Sequence, residues 1–480
     1  MRPLKKLLFA ALLAASPALA QTAPAPVPTW DAAPWLADLE QYRQALLTKY
    51  ANLEWLNEER GLPVDRAFEA AKAAMAKAGS DAEARRPLDR MTAQIGDGHV
   101  KLRWPAVSPG AAGPAGSKAA NCGALGYSAR SARAGTAAAL PGYRKVEGGP
   151  FPAGLIESGD TMLGVVRIGV FDPHGYPALC EAAFAAISLP AGAGCDAACE
   201  DQVLTRSYRA MTSGLADTLK RLKAEGAQLL LLDISDNGGG SEWAEAAARM
   251  LSARTLHSAP TGFVRGEHWA KIWSGTAERL RGHAAKAKGA ERAQLLAWAG
   301  EAEAAAREAS TPCDPATGCT RLARAGTATG LVGSAPAGAF DGKPWANDVF
   351  TIAQHPYLQG AWDGPVILLV DNETWSAAEE VAAMLADNKV AVVMGARTGG
   401  AGCGYSWGGT PTKLAYSGAT LEVPDCVRYR ADGSNEVRGV IPDVLTGVRA
   451  NDGPKLRAEL TAAKLSEAIA RARALYAAQR

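Results

Sequence analysis

After residue 20 the chain has no apolar stretch long enough to cross a bilayer, which takes about 20 consecutive residues. No spanning helix is therefore expected. An excess of one charge is also missing. The 51 Lys and Arg residues face 49 Asp and Glu. So even a balance gives no electrostatic case for nucleic acid as a partner. Histidine is scarce, with six in 480 residues. The Cys195-x3-Cys199 pair has no His-x3-His and no second cysteine pair at zinc spacing beside it. No metal is expected on those grounds.

What is present begins with a leader. Arg2, Lys5 and Lys6 form a short basic region, and Leu7 to Ala15 an apolar run. Ala18-Leu19-Ala20 then offers an A-x-A cleavage site before Gln21. The pattern predicts a signal peptide over 1–20, cleaved after Ala20, and a periplasmic or secreted protein. The apolar run is too short for stable membrane insertion. Without the three leader cations the count becomes 48 basic against 49 acidic. Eight cysteines remain: Cys122, Cys180, Cys195, Cys199, Cys313, Cys319, Cys403 and Cys426. An even number in an exported chain favours disulfides. Cys313 and Cys319 bracket a turn-rich loop, and Cys403 and Cys426 flank a strand-like stretch; these are the preferred pairs. The other four cannot be paired from sequence.

Roughly 460 mature residues allow two to four domains. Residues 21–104 read as an N-terminal helical region, because Leu36, Leu39, Tyr42, Leu46 and Leu47 recur at helical spacing and a second run covers Val64 to Ala78. Residues 105–160 read as a small linker and β region. Two similar units follow. Gln228–Ile234 and Pro365–Val370 are continuous apolar runs of the kind that form fully buried strands. Each leads through a turn into a helical pattern, Ser241 to Leu251 and Ser376 to Asn388. Val390–Met394 reads as a further strand. Repeated strand–turn–helix units predict an α/β core with a largely parallel sheet, split into 161–262 and 346–450. Residues 263–345 read as a helical insertion with a cysteine loop, and 451–480 as a C-terminal helix.

Four places could carry chemistry. Ser376 lies between a buried strand and a helix. Such a serine ordinarily caps the helix, accepting a bond from a first-turn amide. The same position offers a nucleophile free amides and a partial positive charge, with Ala377 the natural oxyanion donor. Asn237-Gly238-Gly239-Gly240 has more glycine than one tight turn needs, so its amides could approach a bound carbonyl. His99, in Asp97-Gly98-His99-Val100, could serve as a base near neutrality. Glu436 would ordinarily be a solvated surface acid, but it sits in a Gly/Pro/Asp-rich stretch of ordered-loop character.

The pieces DGHV, LLLLDISDNGGG, DNETWSAAEEVAAML, GARTGGAG and EVRGVIPD occur in that order. The order resembles the C-terminal processing (tail-specific) and tricorn-core family of serine peptidases, over most of 85–103, 162–251 and 365–445. One branch of that family uses a Ser–Lys dyad with the lysine in G-x-x-T-x-G-K-G. Here Gly395 to Gly402 places Ala401 at the lysine position. The other branch, of tricorn-core type, uses Ser, His and Glu, which Ser376, His99 and Glu436 match. Its auxiliary serine beside the histidine is replaced by Gly98. The resemblance implies a crotonase/ClpP-like twisted α/β sheet behind the helical region. Many members carry a PDZ module, and residues 105–160 occupy its place without a G-L-G-F-like loop.

The implied chemistry is peptide hydrolysis through an acyl-enzyme on Ser376. His99 is the base, Glu436 orients it or stabilises its charge, directly or through another group, and amides of Gly238 or Gly239 and of Ala377 hold the oxyanion. The partner is a peptide or protein substrate, and no cofactor is required. Two rivals share these residues. A non-catalytic relative would bind peptides without cutting them. An acyl esterase would use the serine on another fold, although no G-x-S-x-G elbow surrounds Ser376.

Overall fold

A computed structural model describes residues 30–105, 118–189, 193–311, 320–406 and 411–480. The leader over 1–20 and the Cys313–Cys319 pair lie outside them.

The N-terminal region is a three-helix unit: α1 (Ala33–Lys49), α2 (Val64–Met75) and α3 (Asp81–Ile95). Ser80 caps α3 by accepting from the Glu83 amide, and Gly96 ends it at φ 72°. A short strand β1 (Lys101–Arg103) follows. Next come β2 (Arg144–Val146), β3 (Ala153–Ser158), β4 (Thr161–Arg167), α4 (Pro177–Ala185), α5 (Ala197–Ala224), β5 (Leu229–Asp233) and α6 (Trp243–Arg249). The insertion comprises β6 (Pro260–Val264), α7 (Glu267–Ala284), α8 (Gly289–Ser310) and β7 (Leu322–Thr327), followed by a four-residue α9 (Ala346–Val349). The chain closes with β8 (Val366–Val370), α10 (Ala377–Asp387), β9 (Ala391–Gly395), β10 (Thr412–Lys413), β11 (Thr420–Glu422), β12 (Cys426–Arg428), β13 (Val444–Leu445), α11 (Pro454–Ala462) and α12 (Leu465–Ala477). The single C-terminal helix expected from sequence is thus two, broken at Ala463 and Lys464.

The central sheet runs β13-β9-β8-β5-β4-β3-β2. Its strands are parallel from β13 to β4, and β3 and β2 are added antiparallel. The first four residues of β5 are all apolar because both faces are covered. Leu230 and Leu232 pack with α5, α6 and α10 on one face. Leu229 and Leu231 pack with Leu465, Ala468 and Ile469 of α12 on the other. β2 and β3, from the 105–160 region, widen this sheet.

Two smaller sheets tie distant parts together. β12-β6-β7 carries the α7–α8 hairpin, which buries Trp273, Ala302 and Ala306 against Phe263. β1-β11-β10 joins the N-terminal unit to the late chain. Leu414, Ala419, Leu421 and Val423 complete the core of α1–α3. Disulfides link Cys122 to Cys180, Cys195 to Cys199 and Cys403 to Cys426. Cys403–Cys426 is one of the two preferred pairs. No helix among the described residues is long and apolar enough to cross a membrane.

Candidate active site

Ser376 leaves β8 through a turn held by hydrogen bonds to both of its flanks. The Asp371 amide donates to Thr374 Oγ1 at 3.0 Å, and Thr374 Oγ1 donates to the Ile234 carbonyl at 3.1 Å. Arg457 of α11 donates to Asp371 at 2.6 Å. The turn delivers Ser376 at φ 56°, ψ −123°, a conformation that residues with a side chain rarely adopt. Holding it costs of order 1–3 kcal/mol, and such strain gathers at functional positions. Although Ser376 precedes α10, its hydroxyl caps nothing. It faces His99 instead, with Oγ 3.1 Å from Nε2.

His99 arrives from 277 residues earlier on the turn between α3 and β1. Asp97 fixes that turn. Its buried carboxylate accepts the His99 amide at 3.0 Å, the Tyr50 hydroxyl at 2.9 Å and the Asn52 side chain at 3.0 Å. Asn52 in turn accepts from Asn435, the neighbour of Glu436, at 2.8 Å. Burial, with help from the cations Lys101 and Arg428, pushes the His99 pKa down to about 4; the nearby Cys403 carbonyl pulls it back only slightly. The imidazole is therefore neutral at pH 7, the form that accepts a proton. Its Nδ1 is buried without a well-aligned hydrogen-bond partner.

The glycine turn after β5 packs directly against the serine. A side chain on Gly239, at φ 111°, would lie 2.6 Å from Ser376 Cβ. The three glycines are not equivalent as donors. The Gly239 amide donates to Asn237 Oδ1 at 2.9 Å. Gly240, rather than Gly238, lines the cavity of about 640 Å³ that also holds Ser376, Ala377 and His99. The Ala377 amide starts α10, where a helix has no internal partner for it.

The loop after β9 closes the far side. The Ala401 carbonyl accepts the Ser376 amide at 2.8 Å. Glu379, buried in α10, holds this loop by accepting from the Gly400 amide at 2.9 Å, the Ala401 amide at 2.6 Å and the Thr398 hydroxyl. Burial and the neighbouring Glu436 charge raise its pKa to about 8. One of the two departures from the resemblance has a steric cause here. A side chain at Gly98 would meet the Trp375 ring at 2.5 Å, so an auxiliary serine does not fit. Ala401 is itself buried in the loop contact, with its amide and carbonyl both used.

Glu436 is buried, not a surface acid. It is not hydrogen-bonded to His99. Its Oε2 lies 4.0 Å from Arg428 Nη1, and its Oε1 has no hydrogen-bond partner. Arg428 makes its closer contact with Glu380, at 3.1 Å, and both line the Ser376 cavity. Gly402 and Gly404 separate the two residues: a side chain on Gly402 would touch Glu436, and one on Gly404 would touch His99. Sequence reasoning named Ser376, His99 and Glu436 but missed Asp97, Glu379 and Arg428.

The model of peptidase family S41 matches residues 202–446, just over half of the chain. The chain belongs to peptidase family S41. This S41 protein is a serine-type peptidase by family, and its mixed α/β sheet is the fold of its structural neighbours. Mature CPAF, solved with lactacystin, superposes at TM-score 0.60 with 14% identity, over 93% of this chain and 99% of that one. The photosystem II D1 C-terminal processing protease aligns with 15% identity over 86% of this chain and 92% of that one, at TM-score 0.33. The tricorn protease aligns with 11% identity over 92% of this chain and 37% of that one, at TM-score 0.34. At these identities the CPAF likeness speaks for the fold alone. No curated protein sequence matches this S41 chain.

Proposed function

We propose that this S41 peptidase is exported and cleaves peptide bonds with Ser376 as nucleophile and His99 as base. The observation that carries the reading is the 3.1 Å contact between His99 Nε2 and the hydroxyl of a serine held at positive φ. His99 Nε2 takes the Ser376 proton as Oγ bonds to the peptide carbonyl carbon. The oxyanion rests on the amides of Ala377 and Gly240, with Gly238 in reserve on the same turn. When the C–N bond breaks, His99 returns the proton to the departing amine. Water, deprotonated by His99, then attacks the acyl carbon, and His99 returns that proton to Ser376 Oγ as the ester bond breaks and the acid leaves. Lys101 and Arg428 favour the neutral ring, so His99 is unprotonated at the outset.

Glu436 enters as an indirect partner. His99 Nδ1 and Glu436 Oε1 are both buried without a well-aligned hydrogen-bond partner, and Glu436 acts on His99 through its charge or through another group rather than by direct contact. Glu436 would then stabilise the imidazolium that forms during proton transfer. The basic–apolar–AxA leader and the disulfides support a periplasmic or secreted location.

A fluorophosphonate probe tests the central claim, because only an activated serine reacts. Labelling should fall at Ser376, vanish in Ser376→Ala and drop steeply in His99→Ala. An unlabelled wild type would favour the non-catalytic peptide-binding reading instead.

A further inference from the structure

We infer that this chain carries a separate subsite for an aromatic side chain of the peptide substrate, in the cavity between α1 and α7. The inference rests on reading the Ser376 cavity as the place where the peptide is cut. A second cavity of about 430 Å³ opens beside it. The two share Tyr405 and Pro411 in their walls, so one extended chain can occupy both. That continuity identifies the occupant as the substrate itself.

The walls define the side chain that fits. Val264, Leu421 and Val423 are buried and apolar. Trp269 is pinned by its Nε1–H, which donates to the Asp425 carbonyl at 3.1 Å, and by its ring, stacked on Phe263 with centroids 5.0 Å apart. Tyr405 and His268 hold their rings parallel within 4°, centroids 6.3 Å apart. Such surfaces reward aromatic rings beyond simple area burial.

The polar atoms narrow the class further. The Tyr405 hydroxyl is buried without a partner, as are both ring nitrogens of His268. His268 Nε2 approaches Asp425 Oδ2 at 3.2 Å but is too poorly aligned for a hydrogen bond. The Asp425 carboxylate is meanwhile engaged by Ser406, at 2.6 Å from its hydroxyl and 3.1 Å from its amide. Buried polar groups left unsatisfied are costly. A ring that brings its own hydrogen-bonding group relieves that cost, so tyrosine should be favoured over phenylalanine, and both over alanine.

Binding to the full-length Ser376→Ala protein tests this without cleavage. A single tyrosine is walked along an alanine-rich fluorescent peptide, and affinity is read by anisotropy. At one register phenylalanine should bind about tenfold tighter than alanine, and tyrosine about threefold to tenfold tighter again, the range of one net hydrogen bond. Tyr405→Phe and His268→Ala should erase the tyrosine-over-phenylalanine margin while keeping the aromatic-over-alanine one. No favoured register, or a tyrosine margin untouched in both variants, would overturn the subsite. Fluorophosphonate labelling of the wild type reports separately on the nucleophile, so the two ideas fail independently.

Discussion

The acid limb of activity gives the sharpest test of the proposed base. Burial, Lys101 and Arg428 hold the His99 pKa at about 4 rather than near 6.5. The reactive form is the neutral ring, so activity is lost as pH falls through the pKa of the folded enzyme. At pH 5.5 a group of pKa about 4 is roughly 97% neutral, whereas one of pKa about 6.5 is roughly 9% neutral. The two cases therefore differ about tenfold at that single pH. The assay is the second-order rate of fluorophosphonate labelling from pH 3.5 to 8, which needs no knowledge of the substrate. Labelling should be flat from about pH 5.5 to 7.5 and halve near pH 4. Lys101→Met should move the midpoint upward, because a cation that disfavours imidazolium is gone. The shift should be modest, since burial is the larger cause. A midpoint between 6 and 7 in the wild type would refute the argument that the folded site keeps His99 neutral. A midpoint that does not move in Lys101→Met would remove Lys101 from it.

Strain at Ser376 predicts that Ser376→Gly is more stable than Ser376→Ala by roughly 1 kcal/mol, since relief of about 1–3 kcal/mol outweighs the usual glycine penalty of about 0.5–1. Denaturant midpoints of the two inactive variants check this, and a less stable glycine variant contradicts it. Gly98→Ser should restore the auxiliary serine in name only, because it collides with Trp375; overpacking of about 1–3 kcal/mol and slower labelling are expected. Glu436→Gln should lower kcat far more than it changes KM, by about 100-fold or roughly 2.7 kcal/mol, while Asp432→Asn on the exposed part of the same loop stays near wild type. Equal behaviour of the two would strike Glu436 from the site. Lys413→Ala, on exposed β10, should label like the wild type, and its loss would revive a serine–lysine pairing.

What could be read from the sequence follows from the range of the forces involved. β5 and β8 announce themselves because strands covered on both faces are apolar along nearly their whole length. The turn at Asn237 was also legible in part. An asparagine that bonds its own backbone two residues on is a local signal, and it accounts for the occupied Gly239 amide that sequence reasoning had offered to the oxyanion. Asp97, Glu379 and Arg428 were not legible, because their partners lie on other segments and no spacing along the chain encodes them. Glu436 was found by position in an ordered stretch of sequence, but its burial and its distance from His99 depend on how the 402–404 loop passes between them. The break between α11 and α12 falls at Ala463 and Lys464, with no glycine or proline to mark it.

The pairing of β1 with β11 has a consequence for when the enzyme becomes dangerous. His99, the proposed base, lies on a turn whose supporting helices lack a complete core until Leu414, Ala419, Leu421 and Val423 are in place. A ribosome must therefore finish most of the chain before base and nucleophile can meet. Long-range contacts of this kind also form late during folding. On the proposed reading, a partly made polypeptide therefore lacks a paired His99 and Ser376. Hydrolytic power becomes a property of the finished molecule alone.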